Sequence, residues 1–233
     1  MSAAPIRAAA VHAYTASGVL LAFLCAAELC SPEPDPRTVL ALLALAVMVD
    51  ATDGPLARRW DVKRVLPSID GRTIDDIVDY LTYTFVPLLL VWRMEWVPEP
   101  AAVWIAPALI ASLFGFANTG IKDEKGGFFL GFPSYWNVVA FYAGLLSERY
   151  GPAMNAATLL LLALATLLPI RFIYPNLAPR PWRTPVIVGA LLWLGAMLAM
   201  LPGYPRVPAW ALWLSLLYPA FYVGLSFRLA GRR

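Results

Sequence analysis

Eight hydrophobic stretches run through this chain, and their lengths limit its possible folds more strongly than any other feature. Each spans about 20 residues, the length that an α-helix needs to cross the hydrocarbon core of a membrane. They leave only short connections within 233 residues, 60% of which are hydrophobic, against roughly 45–50% in soluble domains. The sequence therefore predicts an all-α, polytopic integral membrane helical bundle, with residues 1–233 forming a single membrane domain. The eight predicted transmembrane helices are centred near Leu21, Ala44, Phe85, Ala108, Val139, Leu162, Leu191 and Leu216.

The basic residues predict how these helices are oriented. Lys and Arg accumulate on the cytoplasmic side of membrane proteins. With a cytoplasmic N-terminus and eight crossings, the outer loops hold only four of the 18 basic residues, Arg37, Arg93, Arg149 and Arg206. We therefore expect both termini, and the loop between the second and third helices, to be cytoplasmic. The formal charge of +3 suits contact with anionic lipid headgroups and requires no nucleic-acid partner.

Carboxylates cluster where the second hydrophobic stretch ends and the third begins. Residues 50–59 read DATDGPLARR, and residues 71–80 read GRTIDDIVDY. Asp50 and Asp53 are three residues apart, and Asp75 and Asp79 are four apart, so each pair shares a helical face. Charged groups at membrane depth are costly and usually functional. Four facing carboxylates repel unless cations are bound, and all-oxygen ligands favour Mg²⁺, Mn²⁺ or Ca²⁺. The pattern therefore predicts a metal site with enough carboxylates for two ions.

The neighbouring polar residues have a structural interpretation. Asp76 is turned about 100° from Asp75 and should face elsewhere. Thr73 is expected to cap the third helix. Asp61 and Asp70 lack the helical spacing and are interpreted as caps or surface charges.

The carboxylates and their neighbours resemble the signature of the CDP-alcohol phosphotransferases, D-x-x-D-G-x-x-A-R, a spacer, then G-x-x-x-D-x-x-x-D. All of its fixed residues are present, as Asp50, Asp53, Gly54, Ala57, Arg58, Gly71, Asp75 and Asp79. The spacer, residues 59–70, is longer than is usual in the family. That spacer, the extra hydrophobic helices, VHAYTASG at residues 11–18 and GFPSYWNVVAFY at residues 131–142 are similar to one bacterial branch. This branch joins CDP-diacylglycerol to choline.

The resemblance implies a fold, a reaction and a role for each signature residue. Family members are helical bundles that form homodimers, and this branch works at the bacterial inner membrane with its active site facing the cytoplasm. It transfers a phosphatidyl group from CDP-diacylglycerol to choline, releases CMP and uses Mn²⁺ or Mg²⁺, with two ions per site. By resemblance, Asp50, Asp53 and Asp75 bind metal, and Asp79 is both a ligand and the catalytic base. Those that would shape the CDP pocket are Gly54, Ala57, Arg58 and Gly71.

Two further groups of residues are candidates for contacting substrates. Small polar residues at the cytoplasmic start of the first helix, Thr15, Ser17 and Gly18, suit contact with the cytosine or ribose of CDP. Proteins hold quaternary ammonium groups such as that of choline in aromatic cages, often beside carboxylates. The expected choline-binding residues, around the start of the fifth helix, are Asp123, Glu124, Tyr135, Trp136 and Asn137. Alternatively, Tyr135 and Trp136 anchor that helix at the membrane interface.

Two other functions are compatible with the residues. A member of the same family could use another acceptor alcohol, such as serine, inositol or glycerol phosphate, although a phosphorylated acceptor would need a basic pocket. A cation-coupled transporter could also use intramembrane carboxylates. Transporters place these groups near the bilayer midplane on broken helices, whereas here they cluster at one membrane boundary beside an Arg-rich loop. The sequence therefore favours the transferase.

Overall fold

The structure is a computed structural model that describes residues 3–118, 120–123 and 126–231. It consists mainly of α-helices. In chain order these are α1 (Ala3–Leu29), α2 (Pro36–Arg59), α3 (Val62–Val65), α4 (Gly71–Asp79), α5 (Val86–Arg93), α6 (Ala102–Ala117), α7 (Trp136–Tyr150), α8 (Ala153–Leu167), α9 (Arg180–Met200), α10 (Ala209–Ser215) and α11 (Leu217–Ala230). A π-helix, Tyr80–Phe85, joins α4 directly to α5, so that residues 71–93 form one continuous helical segment.

The apolar helices identify an all-α membrane protein. Each of the eight hydrophobic centres lies within a helical segment or, for Leu216, between two. Among the described residues, four helical segments are long and apolar enough to cross a membrane by length and composition: Ala4–Leu29, Pro36–Arg59, Arg180–Gly203 and Ala209–Ala230. The count of eight crossings stays a prediction.

Apolar side chains occupy the outside of the bundle as well as its core. Phe23 in α1 is 67% exposed and Leu192 in α9 is 72% exposed, as expected where lipid tails replace water. The interior is equally apolar, and its largest fully buried side chains include Trp136, Leu88 and Leu145. A surface and a core of similar polarity are what a bilayer-embedded bundle requires.

A small antiparallel sheet departs from the all-α prediction. Strands β1 (Lys122–Asp123), β2 (Phe128–Leu130) and β3 (Arg171–Ile173) pair in the order β1-β2-β3. Gly127, with φ +74°, immediately precedes β2 in a conformation that would strain a residue with a side chain. Phe128 is opposite Ile173, and both pack with Val186 and Leu225. Strands of two or three residues carry no detectable periodicity, so the sequence pattern could not reveal them.

Helix α1 positions the two halves of the signature. It packs against both α2 and α4. The contact with α4 is close at Gly18, because a Cβ there would lie 2.4 Å from Cγ1 of Val78. A glycine at this position therefore lets the backbones of α1 and α4 approach each other.

Candidate metal centre

The spacer between the signature's two halves folds back from the end of α2 to the start of α4. Helix α2 ends at Arg59, the single turn α3 follows, and Asp70 caps α4 by accepting hydrogen bonds from the Arg72 N–H at 3.1 Å and the Thr73 hydroxyl at 2.8 Å. These two hydrogen bonds, that from Thr73 foremost, lower the pKa of Asp70 below its ordinary value of 3.8. The cap is thus charged at neutral pH, and its stabilising effect is lost only as the pH falls through the lowered pKa.

This cap corrects one expectation and confirms another. The N-cap is Asp70 and not Thr73, whose hydroxyl serves as a donor to it. Asp76 faces away from the site and pairs with Arg72 at 3.6 Å. Asp61 forms a surface ion pair with Arg64. The interpretation of these acidic residues as caps and surface charges is confirmed.

Three signature carboxylates converge between α2 and α4. Asp50, Asp75 and Asp79 each offer an oxygen, and these oxygens all lie within 4.8 Å of one another. All three residues are partly buried. We call this group the acidic triad.

The acidic triad fits a divalent cation. Opposite ligands are about 4 Å apart on Mg²⁺ and about 5 Å apart on Ca²⁺, so oxygens within 4.8 Å need at most a small movement to share one ion. An all-carboxylate donor set selects a hard cation.

Asp53 does not belong to this group. It lies three residues beyond Asp50 on α2, about 4.5 Å further along the helix axis, and only 6% of its surface is exposed. Its carboxylate is not among the oxygens that meet within 4.8 Å. A role for Asp53 as a metal ligand stays a prediction.

Tyr83 is a site residue that the sequence analysis missed. Its hydroxyl donates a hydrogen bond of 2.6 Å to Oδ2 of Asp50. Tyr83 lies in the π-helix that follows Asp79, and such helices are frequent at functional sites. The spacing Asp75, Asp79, Tyr83 repeats every four residues, which was the available signal for a shared face.

Two of the glycines expected in a CDP pocket have close packing contacts. A Cβ on Gly71 would lie 2.8 Å from Cε1 of His12, so the first turn of α4 rests against this buried imidazole. Gly18 faces Val78, as described above. These contacts account for both glycines through helix packing, and contact with CDP stays a prediction for each.

The other expected CDP-binding residues lie on α1 and α2. A Cβ on Gly54 would be 3.4 Å from the Arg58 guanidinium, which therefore folds back over the preceding turn of α2. Ala57 packs against the cluster formed by Ala8, Val11 and Val62. On α1, the hydroxyls of Thr15 and Ser17 donate to backbone oxygens of their own helix, at Val11 (3.3 Å) and Tyr14 (2.6 Å).

The residues expected to bind choline separate into different environments. Trp136 is 0% exposed and donates its indole N–H to Ser112 at 2.6 Å, so it is a core residue with no face available to a ligand. Tyr135, by contrast, is only partly buried, and its ring centroid lies 6.3 Å from that of Tyr83. Asn137 is partly buried, and its Oδ1 accepts from the Val138 N–H.

The last two predicted choline-binding residues, Asp123 and Glu124, belong to the segment between α6 and α7. Asp123 contributes its backbone to β1. Glu124 lies outside the described residues. Their proposed contact with choline stays a prediction.

Comparison with curated proteins identifies similar chains in several bacteria. A phosphatidylcholine synthase of Pseudomonas aeruginosa is 42% identical over 179 residues, covering 75% of this chain and 73% of that protein. One from Rhizobium johnstonii is 34% identical over 221 residues, covering 94% and 88%, respectively. One from Legionella bozemanae is 32% identical over 195 residues, covering 81% and 88%.

No protein-family model matches the chain. The alignment with the Rhizobium johnstonii protein nevertheless extends over nearly the whole of both sequences. Identity above 30% over such lengths, in several relatives of the same name, confirms the predicted family. The chain belongs to the phosphatidylcholine synthases.

Proposed function

We propose that this chain transfers the phosphatidyl group of CDP-diacylglycerol to choline, giving phosphatidylcholine and CMP. The observation that carries the proposal is the convergence of Asp50, Asp75 and Asp79, which come from both halves of the signature. The relatives named phosphatidylcholine synthase support choline as the acceptor.

The reaction is a displacement at phosphorus. The hydroxyl oxygen of choline forms a bond to the phosphorus that bears diacylglycerol, and the bond from that phosphorus to the CMP oxygen breaks. Asp79 of the acidic triad takes the hydroxyl proton, a role typically worth about 10²- to 10⁴-fold in rate. Because such transfers depend mainly on position and charge, the chain's main task is to hold both substrates in line.

The acidic triad would hold the divalent ion, which when bound neutralises the pyrophosphate and stabilises the leaving CMP. We propose Mn²⁺ or Mg²⁺, with a second ion bound through Asp53. Metal analysis of purified protein tests this number: loss of one ion per chain in Asp53→Asn supports two ions. An unchanged metal content in that variant would leave Asp53 without a ligand role.

Arg58 is proposed to bind the phosphates of CDP. Its guanidinium lies over Gly54, which leaves space for it one turn from the signature carboxylates of α2. An arginine presents several donors to phosphate oxygens at once, which a lysine cannot reproduce. The remaining expected CDP contacts are Thr15, Ser17, Gly18, Ala57 and Gly71.

The membrane arrangement proposed for the whole chain follows from its hydrophobic and basic residues. It comprises eight crossings in a single membrane domain of the bacterial inner membrane, with cytoplasmic termini and a cytoplasmic active site. A homodimer is proposed on the family resemblance. Cysteine labelling from either side of the membrane and mass measurement in detergent test the two proposals separately.

The decisive experiment supplies purified protein with CDP-diacylglycerol, Mn²⁺ and a panel of labelled alcohols. Formation of phosphatidylcholine with stoichiometric CMP, abolished by a chelator and restored by Mn²⁺ or Mg²⁺, supports the proposal. Transfer to serine, inositol or glycerol phosphate in preference to choline would assign another acceptor. Absence of CMP release with every alcohol would favour a transporter.

A further inference from the structure

The length of choline restricts where its charged end can bind. Only two carbon atoms separate the hydroxyl oxygen from the quaternary nitrogen. When the hydroxyl is positioned for attack beside the acidic triad, the trimethylammonium group must therefore lie within a few ångströms of the same carboxylates. The choline subsite has to be built from side chains that adjoin the triad directly.

Tyr83 and Tyr135 are the aromatic pair that meets this requirement. The Tyr83 hydroxyl donates a hydrogen bond to Asp50, so the Tyr83 ring lies next to the triad. The Tyr135 ring is 6.3 Å from it, centroid to centroid, with the two planes inclined at 49°. The hydrogen bond from Tyr83 therefore places this pair of rings beside Asp50.

The separation of these rings suits a quaternary ammonium. A cation is attracted to an aromatic face within about 6 Å of its centroid, and a point beside two centroids 6.3 Å apart can satisfy both rings at once. A trimethylammonium group has no hydrogen to donate, so it gains little from hydrogen-bond acceptors. Ring faces and a nearby negative charge are what it can use, and Asp50 supplies the charge.

The backbone before α7 holds Tyr135 in this place. Ser134 has a positive φ of 54° and is bonded through its hydroxyl to Ser112 at 3.1 Å. Trp136 is anchored on the same serine from the core side. Phe132 packs edge-to-face against both Tyr135 and Trp136. A residue held between two such anchors is pre-organised, which favours binding because little order has to be gained.

We propose that the rings of Tyr83 and Tyr135 form the subsite for the trimethylammonium group of the acceptor alcohol. This inference rests on the proposed function, because it concerns the same site and the same acceptor. It replaces Trp136, whose ring is enclosed by the core, with Tyr83, whose ring adjoins the triad.

Tyr135 is the better residue for the test, because Tyr83 also donates a hydrogen bond to Asp50 and its replacement would disturb the triad. In Tyr135→Leu the choline KM should rise about 10-fold, whereas the KM for CDP-diacylglycerol should stay within twofold. Tyr135→Phe keeps the aromatic face and should keep the choline KM. Tyr150→Leu, at the exposed far end of α7, is the matched control and should leave both constants unchanged.

The acceptor panel gives a second measurement. Ethanolamine carries a primary ammonium that can donate hydrogen bonds, so it depends less on ring faces. The ratio of kcat/KM for choline to that for ethanolamine should fall about 10-fold in Tyr135→Leu and remain in Tyr135→Phe. Neither the KM nor this ratio depends on what fraction of the purified protein is active. If Tyr135→Leu cannot be purified, Tyr135→Met replaces the ring with another apolar side chain of similar size.

The outcomes separate the two claims. If the wild-type protein makes no phosphatidylcholine, the proposed function fails before any variant is compared. If it does, and Tyr135→Leu or Tyr135→Met keeps its choline KM within twofold, the tyrosine subsite is refuted. A parallel rise in the KM of both substrates also refutes it, because that result indicates a general distortion of the site.

Discussion

Removing the Tyr83 hydroxyl should weaken metal binding while leaving the rings in place. In Tyr83→Phe, Asp50 loses a hydrogen bond of 2.6 Å, a length typical of an O–H donor on an ionised carboxylate. Hydrogen bonds to charged groups are worth about 1.5–3 kcal/mol, and each 1.4 kcal/mol is tenfold. Because a hydrogen bond of this kind fixes the orientation of a metal-binding carboxylate, we expect Mn²⁺ to bind about 10- to 100-fold more weakly.

Metal-free protein is titrated with Mn²⁺. Calorimetry measures binding of the ion, and the rate of CMP release measures activation. The activation midpoint should rise in Tyr83→Phe, whereas the choline KM should change less than twofold because the ring remains. Tyr80→Phe is the matched control, since Tyr80 starts the same π-helix but donates its hydroxyl to the Leu109 carbonyl at 3.2 Å. An unchanged midpoint in Tyr83→Phe, or an equal shift in Tyr80→Phe, would refute the reasoning.

Three further predictions address the triad, the helix packing and the core. Asp75→Asn should lower turnover at least about 100-fold, because a metal centre contributes several kcal/mol. Asp76→Asn, which alters only a partly exposed ion pair with Arg72, should keep turnover within twofold. Equal losses of the two variants in the CMP-release assay would contradict the assignment. Gly18→Ala should lower the free energy of unfolding by about 1–3 kcal/mol, because the added methyl group clashes with Val78. Thermal unfolding should show that Val78→Ala partly restores the stability of the Gly18→Ala variant. An unchanged stability of Gly18→Ala would show that this contact is not tight. Trp136→Ala should lower the free energy of unfolding by about 3–5 kcal/mol and leave the choline KM unchanged. A raised choline KM at unchanged stability would instead support a contact between Trp136 and choline.

The helices could be predicted because their signals are local. A stretch of about 20 apolar residues indicates a membrane-length helix wherever it packs. Likewise, the spacing of Asp75 and Asp79 is enough to predict that they share a helical face, whatever surrounds that helix. The same argument grouped Asp50 with Asp53, but the convergence of oxygens within 4.8 Å includes only the first. Sequence spacing predicts which residues share a helical face. It does not predict how far along that face a second helix makes contact.

Trp136 and Tyr135 illustrate what local patterns cannot distinguish. They are adjacent aromatic residues at the start of one helix, and either could line a cage or anchor the bundle. Their environments are decided by partners remote in sequence: Ser112 accepts the Trp136 indole N–H, whereas Tyr83 lies beside Tyr135. The sheet has the same origin, since β3 is some 40 residues beyond β2 along the chain.

By itself, the sequence determined that this chain is a membrane-embedded helical protein and that carboxylates gather where two of its helices meet. Hydrophobic length and helical periodicity are properties of a segment and survive any arrangement of the rest. Only the tertiary structure decided which carboxylates share a centre, that Tyr83 bonds to Asp50 across 33 positions of sequence, and which aromatic ring is left beside the triad. These choices depend on packing between segments that are distant in the sequence.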